Sequence, residues 1–214
     1  MTGSPRSMLG PWLCAGQALR ELAAQHPSIK LVQLDVVNLA SIRGAVRAVG
    51  SHLKDQGLNL LVNNAGVSLH TTLRSLDSQE MLSAFATNVV RPLLVAKEFL
   101  PLLEKAAKGA GKRGLSCSRA AVINVSTKLG SIGLCLGVPE APTYPYRASK
   151  AAQNMVTRCL AAELRDQGIL CAAIHPGWVK TDMGTEKSAQ AQLLSVPVVA
   201  VAVTLRRVLS CRHP

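Results

Sequence analysis

The chain has 214 residues, of which 48% are hydrophobic, so it is long enough for one domain with a full core and too apolar for a disordered protein. Its formal net charge of +12 suggests nucleic-acid binding, but the basic residues are scattered and only 3% of residues are aromatic, too few for a base-stacking platform. Six cysteines without a Cys-x-x-Cys spacing argue against zinc, and we expect most of them to be small buried hydrophobic residues in a reducing compartment.

No signal peptide or membrane span is predicted. Residues 1–15 are rich in Gly, Pro and Ser and resemble a loop or a disordered lead-in, without the apolar core of a signal peptide. The longest apolar run, Val196–Leu205, is interrupted by Pro197 and Thr204 and is much shorter than the ~20 residues that a span needs. We therefore expect a soluble, cytoplasmic protein with no membrane partner.

Strand-like and helix-like segments alternate along the chain. After a helical segment that ends at Pro27, the predicted elements are, in chain order, a strand over 29–36, a helix over 41–56, a strand over 58–62, a helix over 78–103 bent near Pro92, a strand over 120–125, a helix over 146–167 and a strand over 169–175. The strands are continuously apolar, which is typical of a parallel sheet covered by helices on both faces. The predicted fold class is therefore α/β, with a doubly wound parallel sheet.

Small and polar residues follow each predicted strand. They are Asp35, Asn63-Asn64-Ala65-Gly66, Ser126-Thr127 and Pro176-Gly177. In open α/β sheets, ligands bind at the carboxyl ends of the strands. The sequence therefore predicts that these residues share one edge of the sheet and form a ligand site there.

Tyr146 and Lys150 are four residues apart at the start of a predicted helix, so both lie on one face of it. A phenol has a reference pKa of about 10, and a neighbouring cation lowers that pKa by favouring the phenolate. The pair is thus a candidate proton donor or acceptor for carbonyl and alcohol chemistry. The alternative is an exposed helix face that carries this spacing by chance.

Taken together, five motifs resemble those of the short-chain dehydrogenase/reductase family, in order and in spacing, over about residues 16–185. The motifs are Leu34-Asp35-Val36, Asn63-Asn64-Ala65-Gly66, Thr87-Asn88-Val89, Tyr146-x-x-x-Lys150 and Pro176-Gly177-Trp178-Val179-Lys180-Thr181-Asp182-Met183. With Leu129-Gly130-Ser131-Ile132-Gly133, they look most like the sniffer and C-factor branch of carbonyl reductases. The resemblance implies a Rossmann-like fold, NADP (or NAD) as cofactor and a small-molecule carbonyl substrate.

The resemblance also implies residue roles. Tyr146 would protonate the carbonyl oxygen, Lys150 would bind the nicotinamide ribose, and Asn88 would hold a relay water. Ser126 or Thr127 would polarise the carbonyl, with threonine standing where the family usually has the second serine of a pair. The implied cofactor-binding residues, besides Tyr146 and Lys150, are Asp35, Val36, Asn63, Asn64, Ala65, Gly66, Pro176, Gly177, Val179 and Thr181.

Several of these residues have a plainer alternative role. Asp35 could cap a helix or a turn at a strand end, and residues 63–66 could be an ordinary turn. Asn88 could face solvent or stabilise a helix kink.

Both ends of the chain depart from the family pattern. The glycine-rich turn that holds a pyrophosphate is expected to be missing together with the first strand, since Thr2-Gly3 lacks the later glycines and has Leu9 in place of one. We therefore expect an incomplete Rossmann-like sheet in a truncated isoform. The predicted divisions are a lead-in over 1–15, a partial dinucleotide-binding reductase domain over 16–185 and an atypical tail over 186–214.

The leading functional hypothesis is an NAD(P)-dependent carbonyl reductase, impaired by weak dinucleotide binding. The alternative is a catalytically inactive isoform that forms dimers with a full-length relative through the two long helices, 78–103 and 146–167; a homodimer would use the same helices. A basic RNA-associated protein is the weakest hypothesis, and nucleic acid is not expected as a partner.

Overall fold

A parallel sheet forms the centre of the molecule. The computed structural model describes residues 19–68, 71–109, 114–134 and 144–177. Its strands β1 (Leu60–Asn63), β2 (Ala121–Val125) and β3 (Leu170–Ile174) lie side by side in chain order, and all pair in parallel. In the register, Leu60 is opposite Ala121, and Ala121 is opposite Leu170. The α/β, Rossmann-like prediction is confirmed in this part of the chain.

Helices connect the strands. The described part of α1 covers 19–25, and it is followed by α2 (Leu39–Leu53), α3 (Ser78–Phe85), α4 (Arg91–Gly109) and α5 (Tyr144–Glu163). Asn38 caps α2, because its Oδ1 accepts hydrogen bonds from the backbone N–H groups of Ala40 and Ser41 at 2.9 and 3.3 Å. A 3₁₀ turn, Lys128–Gly130, follows β2.

The helix predicted over 78–103 is not one continuous α-helix. A π-helical segment, Ala86–Val90, separates α3 from α4 directly before Pro92, where the sequence predicted a bend. A π turn shifts the hydrogen-bonding register of a helix and is frequent at functional sites. Here it contains Asn88, which is completely buried.

The core lies between α2, α4 and one face of the sheet. Ile42 of α2, Phe99 and Leu103 of α4, and Leu61 of β1 are all fully buried there. Burying each such side chain contributes roughly 1.5–3 kcal/mol relative to leaving it in water. Asn124, on the same face of β2 as the core residue Val122, hydrogen-bonds to α5, so α4 and α5 cover this face together.

The segment over 29–36 was predicted to be a strand, and this prediction is wrong. Its side chains alternate as in a strand, with Val32 and Leu34 half-buried and Val36 buried, but residues 29–35 carry no regular secondary structure. A strand requires a hydrogen-bonded neighbour, and within the described ranges β1 has β2 beside it and no ladder with this segment.

The cysteines are less buried than expected. Cys171 of β3 is buried, and burial raises the pKa of its thiol to about 11. Cys117 and Cys159 are exposed, because one lies in a turn and the other on the outer face of α5. Cys14, Cys135 and Cys211 lie outside the described residues.

The described part of the chain offers neither a membrane-spanning helix nor a cluster of metal ligands. None of its helices combines the length and apolar character needed to cross a bilayer. It also contains no group of three or more His, Cys, Asp or Glu side chains placed to hold a metal ion.

Candidate active site

The carboxyl ends of the three strands meet at one edge, as the sequence predicted. Asn63 is opposite Asn124, and the N–H group of Ser126 donates to the carbonyl of Ile174 at 2.7 Å. The start of α5 reaches the same edge, because Lys150 Nζ donates to the carbonyl oxygen of Val125 at 2.7 Å. A helix and three strand ends thus converge on one site.

Lys150 is the most constrained charged group of this site. Its side chain is 4% exposed, and Nζ also donates to Gln153 Oε1 at 2.9 Å. Burial lowers the pKa of Lys150 to about 8, because the ammonium is separated from water. Gly66 packs close by: a Cβ atom at this position would lie 3.6 Å from Lys150 Nζ and 3.1 Å from Asn88 Oδ1.

Tyr146 is half-buried beside Lys150, with Nζ 5.8 Å from the centroid of its ring. Burial raises the pKa of Tyr146, so in the protein alone the net direction is opposite to the lowering expected from the lysine. The two hydrogen bonds of Nζ go to Val125 and Gln153, and the cation faces the ring. Tyr146 therefore keeps its proton at neutral pH, which suits a proton donor.

The two hydroxyl groups after β2 have different partners. Ser126 Oγ donates to Asn154 Oδ1 at 2.6 Å, so its proton is already used within the protein. Thr127 Oγ1 accepts from the N–H of Leu129 at 3.3 Å, and none of the described hydrogen bonds uses the Thr127 hydroxyl proton. Of the two candidates, Thr127 is the one with a donor available for a substrate oxygen.

Asn88 connects three parts of the site. Its amide exchanges two 2.9 Å hydrogen bonds with the backbone of Val67 and donates to Ser149 Oγ at 2.9 Å. The alternative of a solvent-facing asparagine is wrong, because the residue is completely buried. Asn88 holds the segment after β1 against the π turn and α5.

Asn63 has an internal role. Its Nδ2 donates to the carbonyl of Pro92 at 3.3 Å and to Asn124 Oδ1 at 2.8 Å, and Asn124 in turn donates to Thr157 Oγ1 at 2.8 Å. This buried chain of hydrogen bonds ties β1 and β2 to α4 and α5. Neighbouring Asn64 is exposed at the same strand end.

A small cleft lies beside Asn63. It is lined by Val36, Asn63, Ala65, Thr87, Arg91, Pro92 and Val95. In the cleft, Asn63 Oδ1 and Arg91 Nε are buried without a hydrogen-bond partner among the described residues. The cleft has a volume of only about 10 Å³, so its unused acceptor and donor suit a group the size of one water molecule.

The side chain of Asp35 caps a turn, which is the alternative role considered for it in the sequence analysis. Its side chain is exposed, and Oδ1 accepts from the N–H of Val37 at 2.8 Å, which closes a turn. Val36, next to it, is buried against the core.

The end of β3 is described only as far as residue 177. Pro176 and Gly177 are exposed there, and Gly177 has a positive φ of 80°. Val179 and Thr181 lie outside the described residues, as do Thr2-Gly3 and the tail over 186–214.

The sequence reasoning missed Gln153 and Arg91. Both follow a candidate residue by three positions in a helix, Gln153 after Lys150 and Arg91 after Asn88, and that spacing places them on the same face. The spacing was visible in the sequence, but the burial of the Gln153 side chain and of the Arg91 Nε atom was not.

The chain is similar to a known protein family and to several known proteins. A family model described as short chain dehydrogenase matches residues 14–192. The chain is 36% identical to C-signal of Myxococcus xanthus over 140 residues, which cover 65% of this chain and 76% of that protein. It is 33% identical to an uncharacterized oxidoreductase of Schizosaccharomyces pombe over 175 residues, 80% of this chain and 62% of the relative.

Two solved structures are similar over most of the chain. The NADPH-bound carbonyl reductase from chicken fatty liver has a TM-score of 0.75 and 43% identity, over 86% of this chain and 71% of that one. Carbonyl reductase Sniffer of Drosophila melanogaster has a TM-score of 0.77 and 40% identity, over 82% of this chain and 70% of that one.

Proposed function

The chain belongs to the short-chain dehydrogenase family, and from that premise we propose that it is an NAD(P)-dependent oxidoreductase that reduces a carbonyl compound. The observation that carries the proposal is the placement of Tyr146, with its proton retained, beside Lys150 at the edge where Thr127 follows β2. A proton donor, a cation and a hydroxyl donor are the groups that carbonyl reduction needs.

Each of these residues has a distinct task in the proposed reaction. Thr127 donates a hydrogen bond to the carbonyl oxygen and stabilises the negative charge that develops there. Tyr146 gives its proton to that oxygen, and the ammonium of Lys150 stabilises the phenolate that remains. When bound, NADPH or NADH supplies the hydride that reduces the carbonyl carbon, so the product is an alcohol.

The described residues fit the nicotinamide end of such a cofactor. A Cβ atom at Gly66 would crowd Asn88 Oδ1 and come into ordinary contact with Lys150 Nζ, so the glycine places no side chain beside the ammonium. Tyr146 and Lys150 would hold the ribose, as the resemblance implies. Asp35 and Val36 would bind the adenosine, which the resemblance also implies. The NADPH bound in the chicken carbonyl reductase favours NADPH.

Turnover assays on substituted proteins test the proposal. With NADPH and a quinone, Tyr146→Phe should lose about 10²–10⁴-fold in kcat, the usual contribution of a positioned general acid. Tyr144→Phe is the matched control, since Tyr144 is 46% exposed at the start of the same helix, and it should retain activity. Equal activity of the two variants, or no turnover by the natural chain with either NADPH or NADH, would contradict the proposed function.

The role of Thr127 is tested by a pair of substitutions. Thr127→Ser keeps the hydroxyl and should retain activity, whereas Thr127→Ala should lose about 10²-fold or more in kcat. If Ser126→Ala were the more damaging change, the carbonyl would instead be polarised by Ser126.

A second candidate function is association through the long helices, without catalysis. It is favoured by Leu82 of α3 and Met155 of α5, two large apolar side chains that are 62% and 65% exposed. Light scattering of the natural chain and of a Leu82→Glu, Met155→Glu variant tests it. The natural chain should be dimeric and the variant monomeric.

A further inference from the structure

Gln153 lies one helical turn after Lys150 in α5 and is 1% exposed. Its Oε1 accepts from Lys150 Nζ at 2.9 Å, while its Nε2 is buried without a partner among the described residues. The orientation of the amide follows from chemistry, because an ammonium only donates and the amide oxygen must face it.

Packing alone does not explain a glutamine at this position. A leucine would fill a similar volume without leaving a buried N–H group unpaired, which is costly. The hydrogen bond to Lys150 is therefore the property that distinguishes glutamine from an apolar residue here.

Lys150 has no carboxylate partner in the described ranges. The ion pairs described there are Arg43–Glu98 and Lys105–Asp55, both away from Lys150. The neighbouring titratable groups on α5 are Tyr146 and Arg147.

The elements that pack against α5 supply no ion partner for Lys150 either. They are α3, the π segment, β2, the 3₁₀ turn and β3. Their titratable groups are Glu80 in α3, Lys128 in the 3₁₀ turn and Cys171 in β3, and none of them hydrogen-bonds to Lys150. The acceptors that serve the ammonium are two neutral oxygens, the Val125 carbonyl and Gln153 Oε1.

We infer that Gln153 is a positioning residue for Lys150, whose amide oxygen holds the buried ammonium in place and keeps it charged where no carboxylate does so. The consequence for catalysis rests on the proposed function, but the hydrogen bond and its effect on the charge of Lys150 do not.

The direct test measures the pKa of Lys150 by NMR in protein labelled with [6-¹³C]lysine, with the resonance assigned from its loss in Lys150→Arg. Gln153→Leu removes an acceptor that favours the charged form, so this pKa should fall by about one unit or more from its natural value. Gln153→Glu supplies a carboxylate and should raise it. Gln79→Leu is the matched control, because Gln79 is exposed on α3 and the chemical change is the same.

An unchanged Lys150 pKa in Gln153→Leu would overturn the inference. If that variant does not fold, Gln153→Met keeps the length and flexibility of the side chain without the oxygen, and it is judged by the same criterion.

A second readout is the pH profile of kcat. The decline in activity at high pH follows the deprotonation of Lys150, so it should move to lower pH in Gln153→Leu and to higher pH in Gln153→Glu. If Gln153 served only to pack the core, its substitution would alter stability but would leave the high-pH decline of kcat at the same pH. If no variant turns over but the NMR shift appears, the proposed function fails and the inference about Gln153 stands.

Discussion

Lys150 carries its charge in a place that water barely reaches, and this has a thermodynamic consequence for the whole domain. Its pKa is lowered from 10.5 to about 8 in the folded protein. Between these two pH values the unfolded chain binds more protons than the folded one, so this residue makes stability rise with pH. Below about pH 8 both states are protonated, and the full cost of burying the ammonium is present.

The Lys150→Met substitution isolates this effect. The free energy of unfolding of the natural chain minus that of Lys150→Met should rise by about 3 kcal/mol between pH 8 and pH 10.5. Taking the difference is necessary because the raised pKa values of Tyr146 and Cys171 lower stability at high pH in both proteins. Urea denaturation at several pH values measures it, and a flat difference would show that the ammonium is not desolvated.

At the scale of single elements, hydrogen bonds of Asn88 hold the π turn against the segment after β1 and against α5. Asn88→Ala removes three hydrogen bonds and leaves the backbone N–H of Val67, in a half-buried segment, without its acceptor. The expected loss is about 2–4 kcal/mol in the free energy of unfolding. Urea denaturation measures it, with Val90→Ala as the control, since Val90 lies in the same π turn and is 46% exposed. Equal losses in the two variants would argue against this role.

The connection between α2 and β1 depends on Gly57. This glycine has a φ of 76°, and a Cβ atom there would collide with the backbone nitrogen of Ala106 and lie 2.7 Å from the carbonyl oxygen of Leu102. The same carbonyl accepts from Leu58 N at 2.8 Å. Gly57→Ala should therefore cost about 3 kcal/mol or more, from backbone strain and overpacking together.

Gly114→Ala is the matched control for Gly57. Gly114 has a φ of 94° but nothing within 4 Å of the added Cβ, so the substitution should cost only the strain of about 1–2 kcal/mol. Thermal unfolding of both variants separates the two causes. Equal losses would mean that α4 does not hold the loop at Gly57 tightly.

At the scale of the whole molecule, cofactor binding should couple to unfolding. A ligand at a hundred times its Kd stabilises the folded state by about 2.7 kcal/mol, which raises Tm by roughly 5–10 °C for a domain of this size. NADPH at millimolar concentration should raise Tm, and Lys150→Met should reduce that rise. A clear rise at micromolar NADPH would contradict the weak binding expected from the sequence.

The sequence predicted the parts of the fold that local patterns determine. Apolar runs located β1, β2 and β3, and the helix predicted over 41–56 begins within two residues of the start of α2 at Leu39. The side chains of the segment over 29–36 alternate as in a strand. A strand also needs hydrogen bonds to a neighbouring strand, and the local sequence does not show whether that neighbour is present.

The same limit applies to the candidate site. The spacing of Tyr146 and Lys150 correctly predicted that they lie together, yet the direction of the tyrosine pKa depends on burial, which is a property of the tertiary structure. Likewise, sequence separation places Gln153 near Lys150, but no local pattern shows that an amide oxygen is the partner of the ammonium.

The order of the strands has a consequence for how the chain is made. Because β1, β2 and β3 are neighbours in the same order in which they are synthesised, β2 and then β3 each meet a neighbouring strand that has already left the ribosome. β1 and β2 can therefore pair before α5 has been translated. Tyr146 and Lys150 would then dock on the paired strands β1 and β2, and β3 would join the sheet after them.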